Sequence, residues 1–382
     1  MILNTDQLSL QKIARQFARE KLLPTYIQRD REFVLDRGLL RAMGEAGLLG
    51  RDLPREYGGH AIDAVTMGVM VEEIAYGDFN FAGLAVVQSL CNAVIVRNAG
   101  AEIKDYWLPR VTRGESVFAI AVTEQHAGSD AGSIKLSAKR EGESYILNGE
   151  KASVTFSNSA DAFLIFARTG DEASAARGVT AFLVPRDIPG LSHAQYDNLG
   201  AHMSGRGSLF FSDVRLSATH RIGEEGQAFT EVMKGFDYSR ALIALQCIGT
   251  TQASLDEAWG YTQEREAFGG PIARFQGVTF PLVEGEAQMA AGRQLAYHTL
   301  QLRDAGEPHT LEAALVKSFI PTAAFDTLHR CLLTFGHYGC SMASPHQQRM
   351  RDVMGLEIGD GTPGILKMIV ARQRTGRAAS GR

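Results

Sequence analysis

The sequence predicts an α+β protein in which two helical segments flank a middle β segment. Apolar residues recur at helical spacing through roughly the first 110 residues and again after about residue 223. Between these segments, short apolar runs are bounded by turn residues, which is typical of strands. The two changes of period predict an N-terminal α-helical domain at 1–115, a middle β-barrel or sandwich domain at 116–222 and a C-terminal α-helical bundle at 223–382.

The N-terminal segment carries cap residues ahead of its apolar helical faces. A cap-like Thr5-Asp6 opens the first helix, and Pro24 interrupts the pattern. Asp36 and Asp63 each precede apolar residues at helical spacing, so each is expected to cap a helix. The stretch 82–96 is apolar enough to form a core helix.

The middle segment contains six short apolar runs that are expected to be strands. They lie at 117–122, 134–138, 144–147, 162–167, 179–184 and 209–214. Asn148-Gly149 follows one of them, and both residue types tolerate positive φ, so this dipeptide is predicted to form a two-residue hairpin turn.

Long helical patterns return in the C-terminal segment. They cover 229–264, 278–304 and 310–335, with a final piece at 364–372. Helices of this length favour a four-helix bundle.

Composition excludes several functional classes. The formal net charge is -4 with charges of both signs interspersed, so nucleic-acid binding is not expected. No apolar run approaches the roughly 20 residues of a membrane helix, so no membrane association is expected. The histidines at 193, 202 and 220 have no metal-ligand spacing, which predicts no metal site.

Cysteine usage indicates a reduced compartment. The four cysteines contain no C-x-x-C pair, and the chain opens on a polar, helix-like stretch rather than a signal peptide. We therefore expect a cytoplasmic protein.

The most informative motif lies near the C-terminus, where residues 351–372 read RDVMGLEIGDGTPGILKMIVAR. Asp360 stands between two glycines and is followed by Thr362 and a helical pattern. The segment resembles the active-site stretch of the acyl-CoA dehydrogenases, in which a glutamate followed by Gly-Thr removes the α-proton of a thioester. The resemblance implies that Asp360 is the catalytic base, that Asp360 and Gly361 contact the substrate, and that Thr362 contacts the cofactor.

Two further motifs resemble the flavin-contacting segments of that family. AIAVTEQHAGSD, at 119–130, implies that Val122 and Thr123 lie beside the flavin ring, and that Ser129 lies near its pyrophosphate and the substrate. NGEKASVT, at 148–155, implies that Val154 and Thr155 lie against the flavin. Two departures are notable, since Gln125 replaces the usual proline and Ser153 replaces the usual tryptophan.

The C-terminal half carries the remaining cofactor motif. Arg265, Phe268 and Gln276 resemble residues that reach the cofactor of a neighbouring subunit, where arginine can clamp a pyrophosphate and an aromatic ring can cover the adenine. Gly336, in FGHYG, stands where the family has a glycine-rich loop near the cofactor. Leu333 replaces that loop's glutamine.

FDYSR, at 236–240, matches the family's F-D-x-x-R and implies that Asp237 and Arg240 organise the substrate site. The same two residues, three apart on a helix, can equally form a structural ion pair. Some relatives carry the catalytic glutamate just before the arginine, where this chain has Ser239. Asp360 is therefore the one candidate base that the resemblance supplies.

The α, β, α order is also that of the acyl-CoA dehydrogenase fold, and the resemblance covers nearly the whole chain. It implies an FAD-dependent oxidoreductase acting on an acyl-CoA, assembled as a homotetramer, with an electron-transfer flavoprotein as electron acceptor. The base would take the α-proton while the β-hydrogen leaves as hydride to flavin N5, giving a 2,3-enoyl thioester.

Replacing glutamate by aspartate withdraws the carboxylate by roughly 1.5 Å, and a misplacement of about 1 Å can slow a reaction on the order of 100-fold. Alicyclic acyl-CoA dehydrogenases resemble this chain in using aspartate, which implies cyclohexane-1-carboxyl-CoA as substrate and cyclohex-1-ene-1-carboxyl-CoA as product. Two alternatives stay open. One is a dehydrogenase of a branched, aryl or carrier-protein-bound thioester, and the other is a catalytically weak flavoprotein that acts as a binding partner.

Overall fold

Helices occupy the first part of the computed structural model, which describes residues 2–171, 174 and 177–376. The helices of this part are α1 (Thr5–Phe17), α2 (Tyr26–Glu32), α3 (Arg37–Glu45), α4 (Ala64–Gly77), α5 (Phe79–Asn98) and α6 (Ala101–Thr112). A π-helical turn and a 3-10 turn containing Pro24 separate α1 from α2, because proline removes a helix donor.

The predicted helix caps are confirmed at two positions and corrected at one. Asp36 accepts from Leu39 N at 3.0 Å, and Asp63 accepts from Thr66 N at 2.7 Å. The first helix is capped one residue earlier than predicted. Asn4, not Thr5-Asp6, forms a reciprocal capping box with Gln7.

Helix α5 corrects the expectation that no apolar run approaches membrane-spanning length. Its 20 residues are long and apolar enough to cross a membrane by length and composition alone. Most of the helix is buried inside the protein, however, so it is the core helix that the stretch 82–96 predicted.

Strands fill the middle of the chain. They are β1 (Phe118–Ala121), β2 (Ser137–Glu141), β3 (Ser144–Val154), β4 (Ala162–Arg168), β5 (Val179–Pro185), β6 (Leu191–Gln195), β7 (Gly207–Ser217) and β8 (Arg221–Ile222). In the described residues they form one sheet in the order β6-β7-β3-β2-β4-β5-β8, with β1 parallel to β4. Strand β3 pairs with β2 along residues 144–148 and with β7 along most of its length, so its first half is held from both sides.

The predicted hairpin turn at Asn148-Gly149 is wrong. The turn between β2 and β3 is Gly142-Glu143, where Gly142 has φ +59°, and Asn148-Gly149 lies inside β3 at a register shift. The Asn148 side chain bridges to Asp213 on β7, donating at 2.9 Å and accepting from Asp213 N at 2.8 Å. A bulge stabilised by these contacts replaces the turn.

Long helices return after the sheet. They are α7 (Ala228–Glu264), α8 (Gln276–Asp304), α9 (Thr310–Thr334), α10 (His337–Cys340), α11 (Pro345–Ile358) and α12 (Pro363–Thr375). A single apolar cluster contains Met67 from the first segment, Leu147 from the sheet and Leu245 from α7. The three segments therefore share a core, and their junction positions the candidate site.

Candidate active site

The loop between α11 and α12 presents Asp360 in a sharp turn. Asp360 has φ +56° and Gly361 has φ +103°, both in the region that favours glycine. Thr362 caps α12 and accepts from Ile365 N at 3.4 Å. In the described chain, the Asp360 backbone N–H has no hydrogen-bond partner. It is therefore available to a ligand.

Two cations from neighbouring helices hold this loop by its carbonyl groups. Arg240 Nε on α7 donates to Asp360 O at 3.3 Å, and Lys317 Nζ on α9 donates to Gly361 O at 2.8 Å. Lys317 is 1% exposed, and burial lowers its pKa to about 8. The sequence reasoning missed Lys317, although a lone charge in the apolar stretch 313–320 was a usable signal.

The Asp360 carboxylate is oriented from α7. Ser239 Oγ donates to Asp360 Oδ2 at 2.6 Å, so the residue at the alternative base position acts as a hydrogen-bond donor to the base. One turn of α7 thus fixes both the side chain and the carbonyl of Asp360.

Asp237 lies on the same turn and is fixed by two contacts. Arg240 Nη1 donates to Asp237 Oδ1 at 2.8 Å, and Thr310 Oγ1 donates to Asp237 Oδ2 at 2.6 Å. Asp237 lines a cavity of about 380 Å³, a size typical of small-molecule sites, together with Arg97, Arg303 and His309. The ion pair between Asp237 and Arg240 that the spacing predicted is confirmed. Asp237 also lines this cavity.

The two predicted flavin-contacting segments lie side by side at one end of the sheet. Val122 and Thr123 follow β1, Val154 ends β3, and Thr155 comes directly after it. Lys151 Nζ on β3 donates to Val122 O at 2.8 Å, and Ala152 N donates to Thr123 O at 2.8 Å. Buried Glu124 accepts from Lys151 Nζ at 2.7 Å, which ties the segments together by charge.

Ser153 and Ser129 are both exposed at this end of the sheet. Ser153 has φ +55°, and its N–H lies 3.4 Å from Tyr196 Oη, which also contacts Ser208 Oγ at 2.5 Å. An aromatic ring from the segment after β6 therefore stands beside the position where the family's tryptophan is missing. Sequence reasoning had no signal for Tyr196, because nothing local links it to Ser153.

The remaining predicted cofactor residues lie elsewhere in the chain. Arg265 and Phe268 are exposed between α7 and α8, and Phe268 is 91% exposed. Gln276 is exposed at the start of α8. Gly336 lies close to them. Its neighbour Phe335 stacks on Tyr261 with ring centroids 4.4 Å apart, and Tyr261 lies one helical turn before Arg265. Arg240 and Arg265 stand 25 residues apart on α7, a separation of about 38 Å at the helical rise.

The comparisons with known proteins place these features in one family. Models of the acyl-CoA dehydrogenase N-terminal, middle and C-terminal domains match residues 4–115, 119–214 and 226–374. The chain belongs to the acyl-CoA dehydrogenase family.

Relatives cover almost the whole chain. The mitochondrial short-chain specific acyl-CoA dehydrogenase of Rattus norvegicus is 34% identical, over 95% of this chain and 88% of its own. The structure of butyryl-CoA dehydrogenase from Megasphaera elsdenii superposes with a TM-score of 0.93 at 30% identity, covering 98% of this chain and 99% of its own. The prolyl acyl carrier protein oxidase AnaB gives a TM-score of 0.92 at 27% identity, covering 98% and 100%.

Family membership confirms the predicted fold class, the acyl-CoA dehydrogenase activity and FAD as cofactor. The residues at the end of the sheet fit a flavin, because the Thr123 and Thr155 hydroxyls make no hydrogen bond within the described residues and their segments lie side by side. They supply donors for a polar ring edge, and Val122 and Val154 supply apolar contact. The individual roles of the site residues remain predictions.

Proposed function

We propose that this acyl-CoA dehydrogenase oxidises cyclohexane-1-carboxyl-CoA to cyclohex-1-ene-1-carboxyl-CoA, with Asp360 as the α-proton base. The observation that carries the proposal is the combination of Asp360 and Ser239. The shorter carboxylate occupies the base position, and the alternative position holds a hydroxyl that donates to it at 2.6 Å.

In the proposed reaction the C–H bond at the α-carbon breaks and its proton passes to an Asp360 carboxylate oxygen. The thioester oxygen, which gains negative charge as the proton leaves, accepts a hydrogen bond from the free Asp360 N–H. Arg240 and Lys317 keep that N–H in place through the loop carbonyls. FAD, when bound, supplies the acceptor for the hydride that leaves the β-carbon.

The shorter base requires either that the loop moves inward or that the substrate presents its α-carbon differently. A six-membered ring makes the α-carbon branched, so the ring itself determines how the α-hydrogen faces the carboxylate. A straight chain lacks this constraint and is expected to react poorly, because a displacement of about 1 Å can slow proton abstraction on the order of 100-fold.

The substrate carrier is proposed to be coenzyme A. The cavity beside Asp237 carries Arg97, Arg303 and His309, which suit the phosphate groups of a nucleotide carrier. We further propose a homotetramer, because Arg265 and Phe268 are too far along α7 from the Asp360 loop to serve the same cofactor in one chain. An electron-transfer flavoprotein as acceptor and a cytoplasmic location, consistent with four free cysteines, remain part of the proposal.

The decisive experiment is an anaerobic titration of the purified flavoprotein with cyclohexane-1-carboxyl-CoA and, in parallel, butyryl-CoA. Flavin bleaching and product identity are followed for wild type, Asp360→Asn, Asp360→Glu and the exposed control Asp326→Asn. We expect bleaching by the ring thioester, its loss in Asp360→Asn alone, and a shift of preference toward butyryl-CoA in Asp360→Glu. Bleaching by butyryl-CoA and not by the ring thioester in wild type would reject the proposed substrate.

The likeness to AnaB favours a second candidate, a thioester carried by an acyl carrier protein. The same titration with the cyclohexane-1-carboxyl group loaded on a carrier protein distinguishes the two. Bleaching with the carrier-bound ester, and none with the CoA ester, would support the second candidate.

A further inference from the structure

A second, polar cavity adjoins the cavity that Asp237 lines. Its volume is about 290 Å³, and it lies between the segment 52–64, helix α5, Tyr238 on α7 and Arg303 near the end of α8. The residues that line both cavities are Ala93, Arg97, Tyr238 and Arg303. Tyr238 directly precedes Ser239, so the paired cavities border the turn of α7 that orients the proposed base.

Two polar side chains of the second cavity have buried atoms without a hydrogen-bond partner in the described chain. Asn92 on α5 is 1% exposed, and neither its amide oxygen nor its amide nitrogen makes a hydrogen bond there. Asp52 Oδ1 is equally unpartnered, while Asp52 Oδ2 accepts from Ser89 Oγ. Burial raises the pKa of the Asp52 carboxyl, and Ser89 and nearby Asn92 oppose that shift. Because a buried polar atom without a partner is destabilising, these three atoms are expected to meet a group from outside the chain.

The other carboxylates that line this cavity are already committed. Asp63 accepts from Thr66 N at 2.7 Å, and Asp304 accepts from the first two backbone N–H groups of α4 at 2.8 and 3.0 Å. These bonds tie the end of α8 to the start of α4 and so fix one wall of the cavity. The space around Asn92 and Asp52 is therefore formed before any ligand binds.

Two arginines stand where the cavities meet. Arg303 is half-buried and stacks over the Tyr238 ring, with its guanidinium carbon 4.2 Å from the ring centroid. Arg97 is exposed on α5, five residues or about 7.5 Å along the helix from Asn92. Guanidinium groups match the oxygens of a phosphate. The paired cavities thus offer a neutral amide at the buried end and cations toward the surface.

We propose that Asn92 and Asp52 bind the pantetheine arm of the substrate carrier, a group that coenzyme A and acyl carrier protein share. The arm carries two amides and one hydroxyl, so it supplies donors for the Asn92 and Asp52 oxygens and a carbonyl acceptor for Asn92 Nδ2. The arm is uncharged up to its phosphate, which lies at the arginine end. The proposal rests on the proposed function, since it assumes that the thioester lies at Asp360, and it deepens that function by assigning the carrier arm to named side chains.

This assignment leaves the acyl group free to be an uncharged ring. It also predicts how the two carriers compare. Because the arm that both carriers share is bound at the buried end, Asn92 should matter equally for an ester of coenzyme A and for an ester on a carrier protein.

The test uses the cyclohexane-1-carboxyl thioesters of four thiols: butanethiol, pantetheine, coenzyme A and acyl carrier protein. The butanethiol ester has no amide, so it is the reference for the other three. Dissociation constants are measured by calorimetry, with competition for weak binders, in the Asp360→Asn holoenzyme with Asn92 intact or changed to Leu. Leucine has a similar shape but forms no hydrogen bond. Asn98→Leu is the matched control, because Asn98 lies on the same helix, lines neither cavity and donates to Val94 O at 3.0 Å.

We expect Asn92→Leu to weaken binding of the three arm-bearing esters by a similar factor of about 10-fold and to leave the butanethiol ester within about twofold. Asp52→Asn, which keeps an oxygen for Ser89 but removes an acceptor, should act in the same direction. Asn98→Leu should change no dissociation constant. Thermal unfolding without ligand should be unchanged or raised in Asn92→Leu, because the variant removes an unsatisfied buried amide.

Three results would overturn the proposal. Equal weakening of all four esters would assign Asn92 a structural role. No weakening of any ester would mean that water alone fills the cavity. Weakening of the coenzyme A ester alone would place the recognised group in the nucleotide rather than in the shared arm.

Failure of this inference is distinguishable from failure of the proposed function. If wild-type flavin is bleached by the coenzyme A ester and Asn92→Leu changes no dissociation constant, the dehydrogenase proposal stands and the arm site is rejected. If no thioester bleaches the flavin but the arm-bearing esters bind through Asn92, the arm site stands and the reaction is rejected.

Discussion

Asp360 is held by groups that act on different parts of the same residue. Ser239 donates to its side chain, while Arg240 donates to its carbonyl and Lys317 to the next carbonyl. The positive φ of Asp360 is unusual for a residue with a side chain, and these contacts stabilise it. The position of the shorter base is therefore determined by the helices that surround the loop.

Lys317→Met tests this positioning. The variant removes the donor to Gly361 O, so the loop loses one of its two cationic supports. We expect kcat to fall about 10-fold with a smaller change in KM, because misplacement of the base affects the chemical step. Stopped-flow flavin bleaching and steady-state kinetics measure the split, with exposed Lys367→Met as control. An unchanged kcat would show that Arg240 alone positions the loop.

The same variant gives a pH prediction with a definite sign. Burial lowers the pKa of Lys317 to about 8, from an ordinary value of 10.5. Between these two pKa values Lys317 is protonated in the unfolded state and neutral in the folded state. The free energy of unfolding of the wild type therefore rises with pH relative to that of Lys317→Met, by at most about 1.4 kcal/mol per pH unit. Below about pH 8 the difference should be flat. Urea unfolding of both proteins from pH 7 to 10.5 measures it, and a constant difference would contradict the prediction.

At the scale of elements, the end of the sheet depends on one buried ion pair. Glu124 accepts from Lys151 Nζ at 2.7 Å, and also from Lys135 N at 2.6 Å and Leu136 N at 2.9 Å. Lys151 is fully buried, and burial lowers its pKa to about 8. The pair holds the segment after β1 against β3, where the predicted flavin contacts lie.

Glu124→Ala is expected to destabilise the protein and weaken FAD retention together. The variant leaves Lys151 buried without its counter-charge, which typically lowers the free energy of unfolding by about 3–5 kcal/mol. Thermal unfolding measures stability, and the flavin-to-protein absorbance ratio after gel filtration measures retention. Glu141→Ala, which removes an exposed pair with Arg215 on the same sheet, should change neither. A stable Glu124→Ala protein that keeps its flavin would show that β1 and β3 are held by other contacts.

The elements that the sequence predicted well are those with strong local signals. The Asp36 and Asp63 caps and the long C-terminal helices follow from short-range patterns. Strand β6 was missed because it is mostly exposed and carries no apolar alternation. Helix α11 was missed because its buried face consists mostly of polar residues such as Arg349, so the sequence shows no apolar pattern at helical spacing.

The site was predictable wherever one motif carried the information. Asp360, Asp237 and Arg240 were identified from their segments, and the structure brings them together. Lys317 required the fold, because it contacts the Asp360 loop from a distant part of the chain. A contact between residues far apart in the chain produces no recognisable pattern in either local segment.

At the scale of the whole molecule, α7 separates Arg240, at the Asp360 loop, from a second group of predicted site residues, Arg265 and Phe268, by about 38 Å. An exposed apolar face lies near the second group and consists of Phe280, Val283 and Leu333, which are 55%, 54% and 61% exposed. Arg330 on α9 donates to Pro281 O at 3.3 Å and to Glu284 at 2.7 Å, both in the first turns of α8. Phe280, Val283 and Leu333 therefore lie at the same end of the helical bundle. A second copy of the chain would both cover this face and bring Arg265 to its neighbour's cofactor.

Val283→Glu places a charge on that face without disturbing the core, since the side chain is already half exposed. We expect the variant to run as a smaller species on size exclusion with light scattering, and to lose FAD on dilution more readily than wild type, because Arg265 and Phe268 would no longer reach a partner's cofactor. Leu8→Glu, an equally exposed apolar position on α1, should leave both properties unchanged. A monomeric Val283→Glu protein that binds FAD as tightly as wild type would mean that each chain holds its cofactor alone, and the exposed Phe268 would then need another explanation.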